Sequence, residues 1–193
     1  TATPPSPMHT ESFEYNGTGW SNEADLNTGR NNMGSTGTQT AAMCICGATY
    51  PKTTAVEDYN GVSWSAGTAV SGAARAGNTG STGSSTSAIS VGGGLPSITS
   101  ECDTWNGSAW TESTALNTAT NVAGGGGAVN TAAIIFGGSD GPMLTATEGW
   151  DGTSWSELNP LATARNNMGY AGSSTANIAV GGYDNPGVAG STE

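Results

Sequence analysis

The side chains able to carry out chemistry are few, and their spacing suits little of it. The one histidine, His9, lies in a proline-rich opening stretch, which excludes Ser-His-Asp triads, Cys-His nucleophiles and multi-histidine zinc sites together. Hydrolysis would have to rest on carboxylates alone. Cys44, Cys46 and Cys102 are three, so they cannot all pair within one chain. A strand turns Cys44 and Cys46 to one face but holds them too far apart to bond. They read as small buried hydrophobes, and their number leaves the redox compartment open. Asp140 and Asp184 offer one carboxylate per loop, against the roughly six to eight oxygens a calcium ion takes. No catalytic residue, metal or cofactor is expected, and the chain does not read as an enzyme.

These residues sit in a repeat. A turn-plus-tryptophan unit recurs as Tyr15-Asn16-Gly17-Thr18-Gly19-Trp20, Tyr59-Asn60-Gly61-Val62-Ser63-Trp64, Trp105-Asn106-Gly107-Ser108-Ala109-Trp110 and Trp150-Asp151-Gly152-Thr153-Ser154-Trp155. The interval of roughly 45 residues is the scale of propeller blades. In step with it runs an apolar segment closed by glycine: Met43-Cys44-Ile45-Cys46-Gly47, Ile89-Ser90-Val91-Gly92-Gly93, Ile134-Ile135-Phe136-Gly137-Gly138 and Ile178-Ala179-Val180-Gly181-Gly182. A third marker is Arg30, Arg75 and Arg165, with Thr120 at that place in the third copy.

Each unit divides into four strands. Small residues after the arginine, as in Met33-Gly34-Ser35-Thr36-Gly37 and Met168-Gly169-Tyr170-Ala171-Gly172, suit the crowded centre of a ring. The near-continuous apolar run reads as a strand buried on both faces. The third strand carries acid and aromatic residues (Glu57-Asp58-Tyr59, Glu148-Gly149-Trp150) and turns at Asn-Gly or Asp-Gly into the fourth, a strong hairpin signal. Such a unit has two apolar faces and must stack on copies of itself.

The expected fold is therefore all-β: a propeller of four four-stranded blades behind an extended arm at 1-10. The propeller spans 11-193, with repeats at about 11-54, 55-99, 100-145 and 146-193. The chain starts with strands three and four and ends with strands one and two, so the last blade is expected to be closed by strands from both termini. Thr192-Glu193 resembles Thr147-Glu148 and leaves open a longer array of five to eight blades, and a larger ring completed by another subunit is also open.

Composition agrees. Charged residues are 10% and hydrophobic residues 35%, so solubility rests on Ser, Thr, Asn and Gly, and long helices are not expected. The net charge of −11 repels a polyanion, which excludes nucleic acid as a partner. No apolar run approaches the roughly 20 residues of a membrane span and no leader precedes the repeats, so neither membrane insertion nor a signal peptide is expected; the chain reads as a mature form or a fragment.

The glycine pair, the acidic-aromatic-turn-Trp unit and the arginine beyond it resemble the Kelch repeat over residues 11-193. Cys46-Gly47 and Thr120 depart from the pattern, so the first and third copies are expected to be less regular. The wording Asn-Gly-Thr/Ser-x-Trp, followed by a stretch such as Ala-Thr-Ala-Arg165-Asn-Asn-Met-Gly, is similar to tandem Kelch-like repeats in virion and tail proteins of aquatic bacteriophages. Kelch-type proteins include a copper oxidase needing Tyr, Cys and His at the ring axis, which His9 outside the repeats does not supply. The turns also resemble the aspartate boxes of sialidases, yet those need an arginine cluster on the substrate.

Two sets of residues follow. Trp20, Trp64, Trp110, Trp155, Arg30, Arg75, Arg165, Gly93, Gly138 and Gly182 recur once per blade and read as structural, the tryptophans packing between blades and the arginines satisfying loop carbonyls. The loops after the glycine pair differ between blades and hold the binding candidates: Tyr50, Lys52, Leu95, Asp140, Met143, Tyr183, Asp184 and Asn185. Asn16-Gly17-Thr18 and Asn106-Gly107-Ser108 match glycosylation acceptors but belong to the repeat turn. The resemblance implies a virion tail, fibre or capsid-surface protein contacting other virion subunits, copies of itself or a host-surface glycan. The other expectation is a secreted extracellular propeller that binds polysaccharide or polymerises.

Overall fold

The computed structural model describes residues 8–49, 51–76, 81–94, 97–184 and 187–188. Tyr50, Leu95 and Asn185, most of the arm, and Thr192-Glu193 lie outside them. The described chain is all-β, and its repeats form successive blades. The first complete blade is β3 (Gly34–Thr38), β4 (Ala41–Ile45), β5 (Val56–Tyr59) and β6 (Trp64–Ala66). The second is β7 (Thr82–Ser84), β8 (Ser87–Val91), β9 (Cys102–Trp105) and β10 (Trp110–Ser113). The third is β11 (Gly124–Val129), β12 (Ala132–Phe136), β13 (Thr147–Trp150) and β14 (Trp155–Glu157). Each is a four-stranded antiparallel sheet in sequence order.

The fourth unit is divided between the ends. Its outer pair is β1 (Phe13–Tyr15) and β2 (Trp20–Asn22), its inner pair β15 (Gly169–Gly172) and β16 (Asn177–Val180). A short hairpin, β17 (Tyr183–Asp184) with β18 (Gly187–Val188), follows. The fourth blade is thus shared between the two termini, as expected. The two halves stand as separate two-stranded sheets, with no ladder between β16 and β1. The reason is where each half is seated: β1–β2 lies on the first blade, with Tyr59 Oη donating to Glu14 at 2.8 Å and Trp64 Nε1 to Ser12 Oγ at 3.0 Å, while Met168 and Ala179 pack against Phe136 of the third. The residues entering β3 and β15 line one cavity of about 260 Å³ together with Val122 and Ala123 of the third blade.

Packing is between blades. Met43, Ile45, Val56 and Val70 of the first blade meet Ala88, Trp105 and Trp110 of the second. Ile89, Val91, Cys102 and Leu116 then meet Ala133, Ile135, Trp150 and Trp155 of the third. Alternation along the second strand explains this: odd positions face one neighbour and even positions the other, so the strand is apolar throughout.

The hairpin turns differ from a two-residue Asn-Gly turn. Four residues connect Tyr15 to Trp20, and Asn16 Oδ1 accepts from the backbone of Thr18 at 2.9 Å and Gly19 at 3.0 Å. Asn60, Asn106 and Asp151 repeat this side-chain turn, and only the glycine takes a positive φ. The first copy is also more regular than its sequence suggests, because Cys46 adopts φ 58 where Gly92, Gly137 and Gly181 have 67, 62 and 66. The third carries a register shift between Gly126 and Val129.

Candidate functional site

The repeat arginines and their acids belong to the scaffold. Arg30 donates to Cys46 O and Ala55 O at 3.0 Å each and to Glu57 at 2.5 Å. Arg75 pairs with Asp103, with Glu101 at 3.3 Å and with Ser90 O at 3.3 Å. Arg165 donates to Thr163 O at 3.4 Å and Gly181 O at 3.0 Å. All three guanidinium groups are buried. The carboxylates Glu57, Asp103 and Glu148 recur at one place in the third strand; sequence reasoning noted the acid but did not join it to the arginine three strands away in the chain.

The third blade keeps the acid and lacks the cation. Glu148 is buried and accepts from Asn117 N and Nδ2 and from Thr118 N at 2.8–2.9 Å. A void of about 10 Å³, roughly one water, is lined by Thr120, Gly137, Ala146 and Glu148. Thr120→Arg puts several more heavy atoms into a space that holds one water and is expected to destabilise the fold by about 1–3 kcal/mol, read as a downward shift of the urea midpoint.

Burial also controls the thiols. It pushes Cys44 and Cys46 up to about 11 and Cys102 to about 12. The folded state therefore holds protons that the unfolded chain releases near 9, so this stabilisation is full below about pH 9 and is lost as pH rises toward 11–12. The urea midpoint should fall across that range, and a thiol reagent at pH 8 should react only as the chain unfolds.

The loop candidates sit at one end of the blades. Each loop after the glycine pair is tied to the segment that enters the inner strand: Ala48 N donates to Asn31 O at 2.8 Å, Ser139 N to Asn121 O at 3.0 Å and Tyr183 N to Asn166 O at 2.9 Å. Lys52 and Met143 bridge back to Ala48 and Ser139, and Tyr183 and Asp184 form β17. Asp140 and Tyr183 are exposed; Lys52, Met143 and Asp184 are half-buried. They stay on separate blades, each bound to its own connection. Met143 lines a cavity of about 410 Å³ with Leu144, Glu148, Leu158 and Pro160.

The most distinctive surfaces are two blade edges that carry no further strand among the described residues. Four aromatic pairs repeat with ring centroids 5.0–5.5 Å apart. Trp110 and Trp155 are only 6% and 7% exposed, whereas Trp20 is 72% exposed and Tyr15 and Phe13 about half. A groove of about 330 Å³ runs between Phe13, Tyr15 and Trp20 and the first blade's Ala42, Tyr59 and Trp64. At the other edge a groove of about 170 Å³ is lined by Ile134, Phe136, Thr147, Leu161, Asn177 and Ala179, and Ile178 and Val180 of β16 are nearly half exposed. The sequence named Trp20 as a packing residue and gave no sign that its neighbour would be missing.

No family model and no curated protein matches this chain. Among solved structures it is similar to YjhT, at a TM-score of 0.78 and 11% identity, over 94% of this chain and 71% of that one. That likeness concerns the fold, a β-propeller.

Proposed function

We propose that the protein is a non-enzymatic assembly and binding module whose working surfaces are its two open blade edges. The setting that its repeats imply is a phage virion, at the tail, fibre or capsid surface, where it joins other subunits. The observation that carries this is the pair of unladdered strands, β1 and β16, each beside an apolar groove, because an unpaired strand edge is a template for another chain. The arginines and recurring acids, which would be the natural start of a catalytic site, are spent on the scaffold. Purified particles should carry the protein at a fixed stoichiometry through a density gradient; its loss from them would refute the virion role.

A second reading, a secreted propeller that binds polysaccharide, is favoured by the exposed Phe13, Tyr15 and Trp20, since aromatic faces stack on sugar rings. Its mark would be saturable quenching of tryptophan fluorescence by one glycan added to the free protein.

A further inference from the structure

The three complete blades fix the register that a completed fourth blade would have. Cys44 lies opposite Glu57, Ser90 opposite Asp103 and Ile135 opposite Glu148. The half-blade registers place Ala179 and Phe13 in those two columns, so β16 would meet β1 with Ala179 opposite Phe13, Ile178 opposite Glu14 and Asn177 opposite Tyr15. The residues each edge lacks are those the other displays. In the third blade's groove the missing pair is an aromatic and a tryptophan, the pair that Trp150–Trp155 supplies one blade earlier. In the first blade's groove the missing residues are two aliphatics, the places of Ile178 and Val180.

One polar atom marks the seat. Thr147 Oγ1 is buried without a hydrogen-bond partner, and so is Asn177 Oδ1 in the same groove. Thr147 and Ser12 occupy the same column of the repeat. Ser12 Oγ receives the indole Nε1–H of Trp64, the fourth-strand tryptophan of the next blade; for Thr147 the corresponding donor is Trp20, which faces solvent. A buried hydroxyl left unpaired is costly, so the groove is built for an indole donor as well as for apolar surface.

We propose that β1 of one chain pairs with β16 of a second copy, head to tail, so that each junction becomes a composite blade with Trp20 seated beside Thr147. The inference rests on the reading of the open edges as working surfaces. A second copy is favoured over the chain's own other end because each half-blade is already seated on its own neighbour and the two share no ladder among the described residues. A head-to-tail contact closes into a ring or continues as a filament; two copies joined at both edges give an eight-bladed ring. With −11 on each copy, added salt should strengthen the association.

The test uses the full chain. Light scattering should give a mass of at least twice 19.0 kDa. A mixture of Glu14→Cys and Ile178→Cys chains, oxidised under native conditions, should yield a covalent dimer that neither variant gives alone, while the native cysteines are buried. Trp20→Ala should weaken association about thirtyfold or more without loss of the folded signal. A Glu14→Cys/Ile178→Cys double variant that closes only internally would overturn the proposal in favour of a self-closed ring. A folded 19.0 kDa particle that gives no cross-link would overturn it too. Particle association would be unaffected by either result, so the virion reading would then stand with a different partner.

Discussion

Arg75→Met is expected to cost about 3–5 kcal/mol, the largest loss from any single polar substitution in the chain. Arg75 is 1% exposed and Asp103 is fully buried. Methionine fills much of the space but leaves the Asp103 carboxylate with Gly72 N at 3.1 Å as its remaining donor. An ion buried without its counter-charge loses its hydration and gains little in return. Against a typical stability of roughly 5–15 kcal/mol, the variant should unfold at a much lower urea concentration, read by tryptophan fluorescence. The companion Arg75→Met/Asp103→Leu should recover most of the loss, because an apolar pair of similar volume carries no desolvation penalty. A double variant as unstable as the single one would mean that the arginine acts through its bonds to Glu101 and Ser90 O rather than by neutralising Asp103.

The same pair explains what was legible in the sequence. Strand order, the second strand's burial and the aromatic hairpins follow from periodicity, because every blade needs them at one place. The arginine's partner was harder to read. Arg30 and Glu57 lie 27 residues apart, and their bond depends on how the connection folds back over the third strand. Asn27 and Asn117 share that difficulty: each presents its backbone N–H and its amide to the acid, and only the fold brings them together. How the two halves of the fourth blade are seated is hidden for a different reason. Counting strands shows that the halves are complementary, but ring curvature decides whether they meet, and curvature is set by packing between blades. The variable loops were found by their variation, which says where recognition can lie but gives no chemistry.

Trp155→Ala and Trp20→Ala should separate these two kinds of information. Trp155 packs among Ile89, Val91, Cys102 and Leu116, and its loss removes a large side chain from a seat that cannot collapse, at about 3–5 kcal/mol. Trp20 occupies the same place in its own repeat, yet its truncation should change the stability of the isolated fold by under about 0.5 kcal/mol, since most of its surface already meets water. Sequence treats the two as equivalent, and within one chain they are not. If both substitutions lower the unfolding midpoint at low protein concentration, Trp20 is buried in the free chain and the edges described here are closed in solution. If the effect of Trp20→Ala emerges only as protein concentration rises, it reports mass action between copies, and the tryptophan does for the assembly what Trp155 does for the fold.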